Sequence, residues 1–182
     1  VADFEDRVTG QHHPVYSSDP IMMDAWHHVA ASYDGSTWRL YLDGQLEAEL
    51  QVGLPFASQP GNRLGLGSLQ RMDHSPQALF RGTLDEVRVW QVARSHSQIL
   101  QTINTSLTEG DGLVMRWGFG EGAGNWVRDS LPGRADARAQ GGEPAWQSPG
   151  APFDLVVVIP PDSPILVGPA SGSVVNPAAQ RL

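Results

Sequence analysis

The sequence predicts an all-β protein, an antiparallel β-sandwich carrying one short helix. Three observations lead there. Short runs in which apolar and polar residues alternate recur along the chain, the mark of half-buried strands. Asp34-Gly35 and Asp43-Gly44 punctuate those runs, and such pairs write tight hairpin turns. The 182 residues also hold 20 Gly and 14 Pro, enough turn formers for many short strands.

The elements follow in order. Strands are expected at Trp26–Tyr33, Thr37–Leu42, Glu47–Val52, Arg63–Gly67 and Thr83–Trp90. In Thr37–Leu42, Trp38, Leu40 and Leu42 share one face, and Arg39 and Tyr41 share the other. The next element is a helix. Ser95 precedes it with Gln98 three residues on, a capping box, and Ile99 and Ile103 fall four apart on one side. Strand character returns at Leu113–Phe119, followed by the Gly-rich stretch Gly120–Gly124 and then Trp126. Beyond Asp154 the apolar run Leu155–Ile159 leads into Pro160-Pro161, a stiff connector.

Composition removes several function classes. Hydrophobic residues make up 40% and charged residues 18%, a globular balance with no stretch long enough to span a membrane as a helix. The net charge of −8 speaks against nucleic acid, which needs clustered cations. All 12 basic residues are Arg, as a GC-rich genome would favour. Zero Cys removes disulfides, thiolate metal sites and Cys nucleophiles together. Val1–Asp6 is acidic and lacks the apolar run of a signal peptide, and with no initiator Met the chain is expected to be a mature or excised segment.

The stretches Trp26-His27-His28-Val29-Ala30 through Tyr41-Leu42-Asp43-Gly44, and Leu84-Asp85-Glu86-Val87-Arg88-Val89-Trp90, resemble the laminin-G-like (concanavalin A-like) jelly-roll domains. The resemblance covers roughly Val1 to Phe153. It implies a jelly-roll sandwich that holds a ligand rather than transforming one. Trp117-Gly118-Phe119-Gly120-Glu121-Gly122 resembles the start of a jelly-roll unit in that family. It opens a second copy or completes the first, and the short remainder favours completion. The segment Ser163–Gly172 resembles the opening of a fibronectin type III-like domain. Only about 25 residues precede the Trp-His-His motif, too few for half a sandwich, so the chain is expected to be a slice of a larger protein.

Relatives with glucanase activity oblige a search for catalytic carboxylates, which lie about 5–5.5 Å apart in retaining enzymes. Asp85 and Glu86 are adjacent and should face opposite sides of a strand, so no catalytic pair is expected. Neither His12-His13 nor His27-His28 can chelate one ion from a strand, for the same reason. No Gly-x-Ser-x-Gly elbow is present. The resemblance implies a structural Ca²⁺ at Asp85, with Glu121 as a second ligand; the alternative is that Asp85 caps a turn or pairs with an Arg. A pentraxin-type site over Leu66–Asp73 is not expected, because Gln70 and Asp73 alone cannot supply 6–8 oxygens.

Sugar binding without a metal needs exposed rings. Trp26, Trp38, Trp90 and Trp117 lie in strand patterns and are expected in the core. Trp126 and Trp146 fall in turn-rich sequence and are the candidate ligand-binding rings, joined by Gln70 and Asp73 in the loops Ser58–Asn62 and Gln70–Gln77. Asn104-Thr105-Ser106 matches a glycosylation acceptor, a pattern common by chance. The sequence therefore points to a non-catalytic module that binds carbohydrate or another extracellular polymer, in a secreted or surface multidomain protein of a bacterium. A spacer or adhesion domain without a ligand is the alternative, and a glycoside hydrolase the third reading.

Overall fold

The computed structural model describes residues 1–57, 64–70, 76–77, 79–131, 135–140 and 143–153. The chain is built from β-hairpins and one short helix, in line with the expected all-β sandwich. The largest sheet holds β1 (Val29–Tyr33), β2 (Thr37–Leu42) and β3 (Gln45–Gln51) in that order, all antiparallel. β4 (Leu69–Gln70) pairs with β5 (Pro76–Gln77), β6 (Val87–Trp90) with β7 (Leu113–Trp117), and β8 (Trp126–Val127) with β9 (Ala137–Arg138). Helix α1 covers His96–Thr102.

Both Asp-Gly turns form as expected, each for a visible reason. Asp34 Oδ1 accepts from the Ser36 and Thr37 amides at 2.9 and 2.7 Å while Gly35 takes φ +92°. The Thr37 amide, the Arg39 guanidinium and the Ser36 amide together hold the Asp34 carboxyl well below the usual carboxylate range. At the second turn Asp43 and Gly44 take φ +48° and +79°, the left-handed pair that a two-residue hairpin needs. β3 starts at Gln45, earlier than its alternation suggests. Leu40 faces Ala48 and Tyr41 faces Leu46, so Glu47 is an extra residue, a β-bulge that breaks the period of two.

Other expected strands are shorter or displaced. Over Leu64–Gly67 the backbone is irregular, with Gly67 at φ +72° and Arg63 outside the described residues; pairing begins only at Leu69. Thr83–Trp90 is strand from Val87 onward, because Glu86 sits at φ +50° and breaks the extended run. That left-handed residue turns its carboxylate inward onto two guanidinium groups. Arg88 Nε lies 3.0 Å away, and Arg116 grips both oxygens through Nε and Nη2. Burial pushes the Glu86 carboxyl up, but Arg116, the Leu107 amide and the charge of Arg88 outweigh it and leave it below its ordinary value.

The helix begins with the expected capping box: Ser95 accepts from the Gln98 amide and the Gln98 side chain accepts from the Ser95 amide. It docks on the β2–β3 turn. His96 Nε2 lies 2.7 Å from the Gly44 carbonyl oxygen, and its ring stacks on Tyr41 at 5.8 Å. Tyr41 is thereby buried, while Arg39 on the same face of β2 stays partly exposed and pairs with Asp34. The first residues form an irregular hairpin of their own, with bridges Ala2 to Val15 and Glu5 to His12. Its centre is the buried Asp6, which accepts from the Val8 and Thr9 amides, the Thr9 hydroxyl and His13. Phe4 packs from this hairpin on Tyr33 and Trp38.

β7 pairs with β6, Val87 opposite Trp117 and Val89 opposite Met115. Trp117 is the best buried of the four rings expected in the core, at 3% exposure, and its indole donates to the Ala135 carbonyl at 3.0 Å. Trp38 and Trp90 are half-buried. Trp26 is 41% exposed and corrects the expectation: the strand starts at Val29, so Trp26 lies on the loop before it.

A Cβ at Gly44 would collide with Leu100 Cδ2 and come within 3.4 Å of Ile103 Cδ1, besides forcing φ +79° on an L-residue. Gly44→Ala is expected to cost about 1–3 kcal/mol, read as a lowered midpoint in urea with unchanged slope.

Candidate binding surface

The expected aromatic platform is built on the hairpin of β8 and β9. Gly122 and Gly124 take φ +72° and +81°, which folds the Gly-rich stretch into a compact turn directly before Trp126. Three side chains close that turn. Glu121 Oε1 accepts from the Arg128 amide at 2.8 Å, Glu143 Oε1 from the Gly124 amide at 2.7 Å, and the Trp146 indole donates to the Gly124 carbonyl at 2.9 Å. The Trp146 indole, twenty residues on from Trp126, is thereby fixed to the turn that precedes Trp126.

Trp126 is 50% exposed, an unusual state for a strand tryptophan, and Trp146 is half-buried. Opposite Trp126 across the hairpin stands Arg138, whose guanidinium carbon lies 5.4 Å from the ring centroid. Arg128 pairs instead with Asp136 at 3.2 Å. The surface thus offers one open ring, Trp126, with a cation seated beside it. A ring face takes the C–H side of a sugar or another apolar face, and the guanidinium donates in its own plane. Of the other expected ligand residues, Gln70 lies in β4, and Asp73 lies outside the described residues, as do Ser58–Asn62.

The proposed cation ligands have other work. Asp85 Oδ1 accepts from the Glu86 amide at 2.8 Å and Oδ2 from the Ala151 amide at 2.7 Å. Asp85 ties Ala151 to the start of β6, which is the capping alternative raised by the sequence. Glu121 serves the β8 turn and shares no partner with Asp85. Among the described residues no group of three or more His, Asp or Glu side chains is placed to hold a metal ion together.

A second concavity, about 1540 Å³ in volume, runs beside β1 and β6. Trp26, His28, Val29, Phe80, Arg88 and Phe153 are among its lining residues.

A family model of the laminin-G-like type, described as the concanavalin A-like lectin/glucanases superfamily, matches residues 4–100. The chain belongs to that superfamily. Pappalysin-1 of Mus musculus is 34% identical over 84 residues, which is 44% of this chain and 5% of that protein. A crystal structure of a candidate carbohydrate-binding protein from Bacteroides ovatus superposes with a TM-score of 0.54 at 25% identity, covering 66% of this chain and 35% of the other. The chain spans only a small part of each.

Within this lectin/glucanase fold, the Trp-His-His and Asp-Gly motifs turn out to be one unit. Asp43 Oδ2 lies 2.7 Å from His27 Nδ1, and Oδ1 accepts from the His28 amide at 2.9 Å. His27 Nε2 lies 3.1 Å from the Met22 carbonyl oxygen. Two acceptors on one imidazole are both satisfied only when both nitrogens carry hydrogen, and Asp43 raises the His27 pKa against the opposing effect of burial. His28 goes the other way: burial, then the nearby Arg88 charge, lower its pKa. The sequence missed this opposition because it depends on which strand end Asp43 reaches.

Two predictions follow from these environments. The His27 pairing stabilises fully below its unfolded pKa of about 6.5 and is lost as pH rises through the higher folded value. Burying neutral His28 costs stability as pH falls below about 6.5. His27→Gln is therefore expected to lower the melting temperature more at about pH 5.5 than at about pH 8.5, and His28→Gln to flatten the acid limb of the wild-type curve. For the cation question, Asp85→Ala is expected to lower the melting temperature by freeing Ala151. Wild-type melting should be the same in Ca²⁺ and in EDTA, and a Ca²⁺-dependent rise abolished in Asp85→Ala would restore the calcium site.

Proposed function

We propose that this chain is a non-catalytic carbohydrate- or extracellular-polymer-binding module of a larger secreted or surface protein. The observation that carries this reading is Trp126, half-exposed on a short hairpin that Trp146, Glu143 and Glu121 lock into one shape. A ring held open this way loses little entropy when a flat ligand face covers it. The Arg138 guanidinium beside it adds directional donors for hydroxyl or acidic oxygens. Superfamily membership and the likeness to a candidate carbohydrate-binding protein support the ligand class. Neighbouring domains would set the biological process, with the fibronectin type III-like resemblance after residue 154 as the suggested next unit.

A binding role rather than a hydrolytic one accords with the occupations of Asp85 and Glu86. Both Asp85 oxygens accept backbone N–H groups, and Glu86 is neutralised by two guanidiniums. Neither carboxyl is free to trade a proton with a glycosidic oxygen.

Affinity electrophoresis through a panel of soluble polysaccharides tests the reading. At least one polysaccharide is expected to retard the wild-type chain. Trp126→Ala should weaken that retardation about tenfold or more, equivalent to about 1.4 kcal/mol, with little change in melting temperature because half of the ring is already in water. Retardation by no polysaccharide would favour the spacer reading, and retardation unchanged in Trp126→Ala would move the site elsewhere on the fold.

A further inference from the structure

We propose that a recess between the β1–β3 sheet and the segment leading into α1 binds a neutral sugar unit, with the Tyr41 hydroxyl and the Arg39–Asp34 pair as its hydrogen-bonding groups. The site is separate from the Trp126 surface and does not depend on it.

The register of the sheet builds one wall. Ser32 stands opposite Arg39 and Arg39 opposite Glu49, while Ala30 stands opposite Tyr41 and Tyr41 opposite Leu46. Paired residues share a face, so Ser32, Arg39, Tyr41 and Leu46 project to the same side of the sheet. That is the side on which the helix docks, since His96 stacks on Tyr41. Ala93, Ser95 and His96 form the facing wall, and the recess between the two is about 440 Å³ in volume. Small-ligand sites are about 300–1,000 Å³. Two contacts fix the spacing of the walls. The Ser32 hydroxyl donates to the Arg94 carbonyl at 3.2 Å, and His96 Nε2 lies 2.7 Å from the Gly44 carbonyl oxygen. A recess braced in this way needs little reordering when a ligand enters.

Tyr41 is the residue that points to a ligand. It is only 4% exposed, and among the described residues its hydroxyl makes no hydrogen bond. Buried tyrosine hydroxyls ordinarily have a partner. Among the described residues, the side-chain polar atoms sealed from solvent without a partner are His28 Nδ1, Trp38 Nε1, Thr105 Oγ1 and Asp129 Oδ2. The Tyr41 hydroxyl is not one of them, so it keeps an opening onto the recess that Tyr41 lines.

The charges beside it select a neutral ligand. Arg39 Nη1 lies 2.7 Å from Asp34 Oδ2, and its Nε lies 3.4 Å from Glu49 Oε2, so the guanidinium is already compensated. An added anion would meet two carboxylates, and an added cation would meet the guanidinium. Arg94 does not alter this balance, because its guanidinium lies over the Trp90 ring at 4.1 Å, and Trp90 does not line the recess. Held by its acids, Arg39 still has N–H donors to spare on Nη2, and Asp34 Oδ2 has a spare lone pair. A donor and an acceptor fixed side by side match the neighbouring hydroxyls of a sugar. Leu46, opposite Tyr41 and 46% exposed, offers apolar surface to the C–H side of the sugar ring.

The test is an NMR titration of the full 182-residue chain with glucose, galactose and mannose, each beside its own uronate. At least one hexose is expected to shift the Ser32, Arg39 and His96 amide signals, and its uronate to bind more weakly. Tyr41→Phe keeps the stacked ring and removes only the hydroxyl. It is expected to weaken that hexose about tenfold, the loss of one hydrogen bond, with an unchanged or raised melting temperature because no protein partner is lost. Trp126→Ala is expected to leave the affinity unchanged. No shift at these residues with any hexose overturns the proposal, and so does equal affinity in Tyr41→Phe. A uronate that binds more tightly than its hexose overturns the neutral assignment. Shifts that persist in Tyr41→Phe and vanish in Trp126→Ala place the sugar on the β8–β9 hairpin and overturn the proposal as well.

Discussion

The Asp43-Gly44 turn is the constraint on which most of this structure depends. It reverses the chain between β2 and β3, which requires two consecutive left-handed residues. Its carboxylate anchors the start of β1 through His27 and the His28 amide. Its glycine is bare, which lets Leu100 and Ile103 of the helical segment pack on the turn, and its carbonyl meets His96. One dipeptide thus positions a hairpin, a strand start and a helix. That economy accounts for the joint presence of the Trp-His-His and Asp-Gly motifs: they are two halves of one contact.

A second anchor works by charge. Glu86 is nearly withdrawn from solvent between Arg88 and Arg116, and Arg88 also donates to the Thr102 and Thr105 carbonyls. The group ties β6, β7 and the end of α1 together. Two cations share one carboxylate, and the carbonyls at the helix end absorb the excess positive charge, where such ends are most negative. Replacing any one member would leave an uncompensated buried charge, which is costlier than never having buried it. The left-handed backbone at Glu86 follows from the same need, because an extended residue there would send the carboxylate to the other face.

These anchors separate scaffold from surface. The motifs shared with the superfamily serve the turn and the ion network, whereas Trp126 and Arg138 stand on a short hairpin that the ion network meets through Arg116, at Asp129 and Ser130. Binding chemistry placed there can vary without disturbing the core.

By itself, the sequence determined the fold class, both Asp-Gly turns, the capping box at Ser95 and the strand at β2, because each is a local pattern of period, cap or left-handed residue. It also offered Trp126 as an exposed ring through its turn-rich surroundings, and the ring is half exposed. Tertiary structure alone decided the rest. It ended the strand at Val87 rather than Thr83, since Glu86 bends toward arginines 2 and 30 residues away. It exposed Trp26, whose alternation matched a strand that starts three residues later. It gave Asp85 to the Ala151 amide, a partner 66 residues distant. Local sequence specifies what a residue can accept or donate, and only the packed chain specifies which partner arrives.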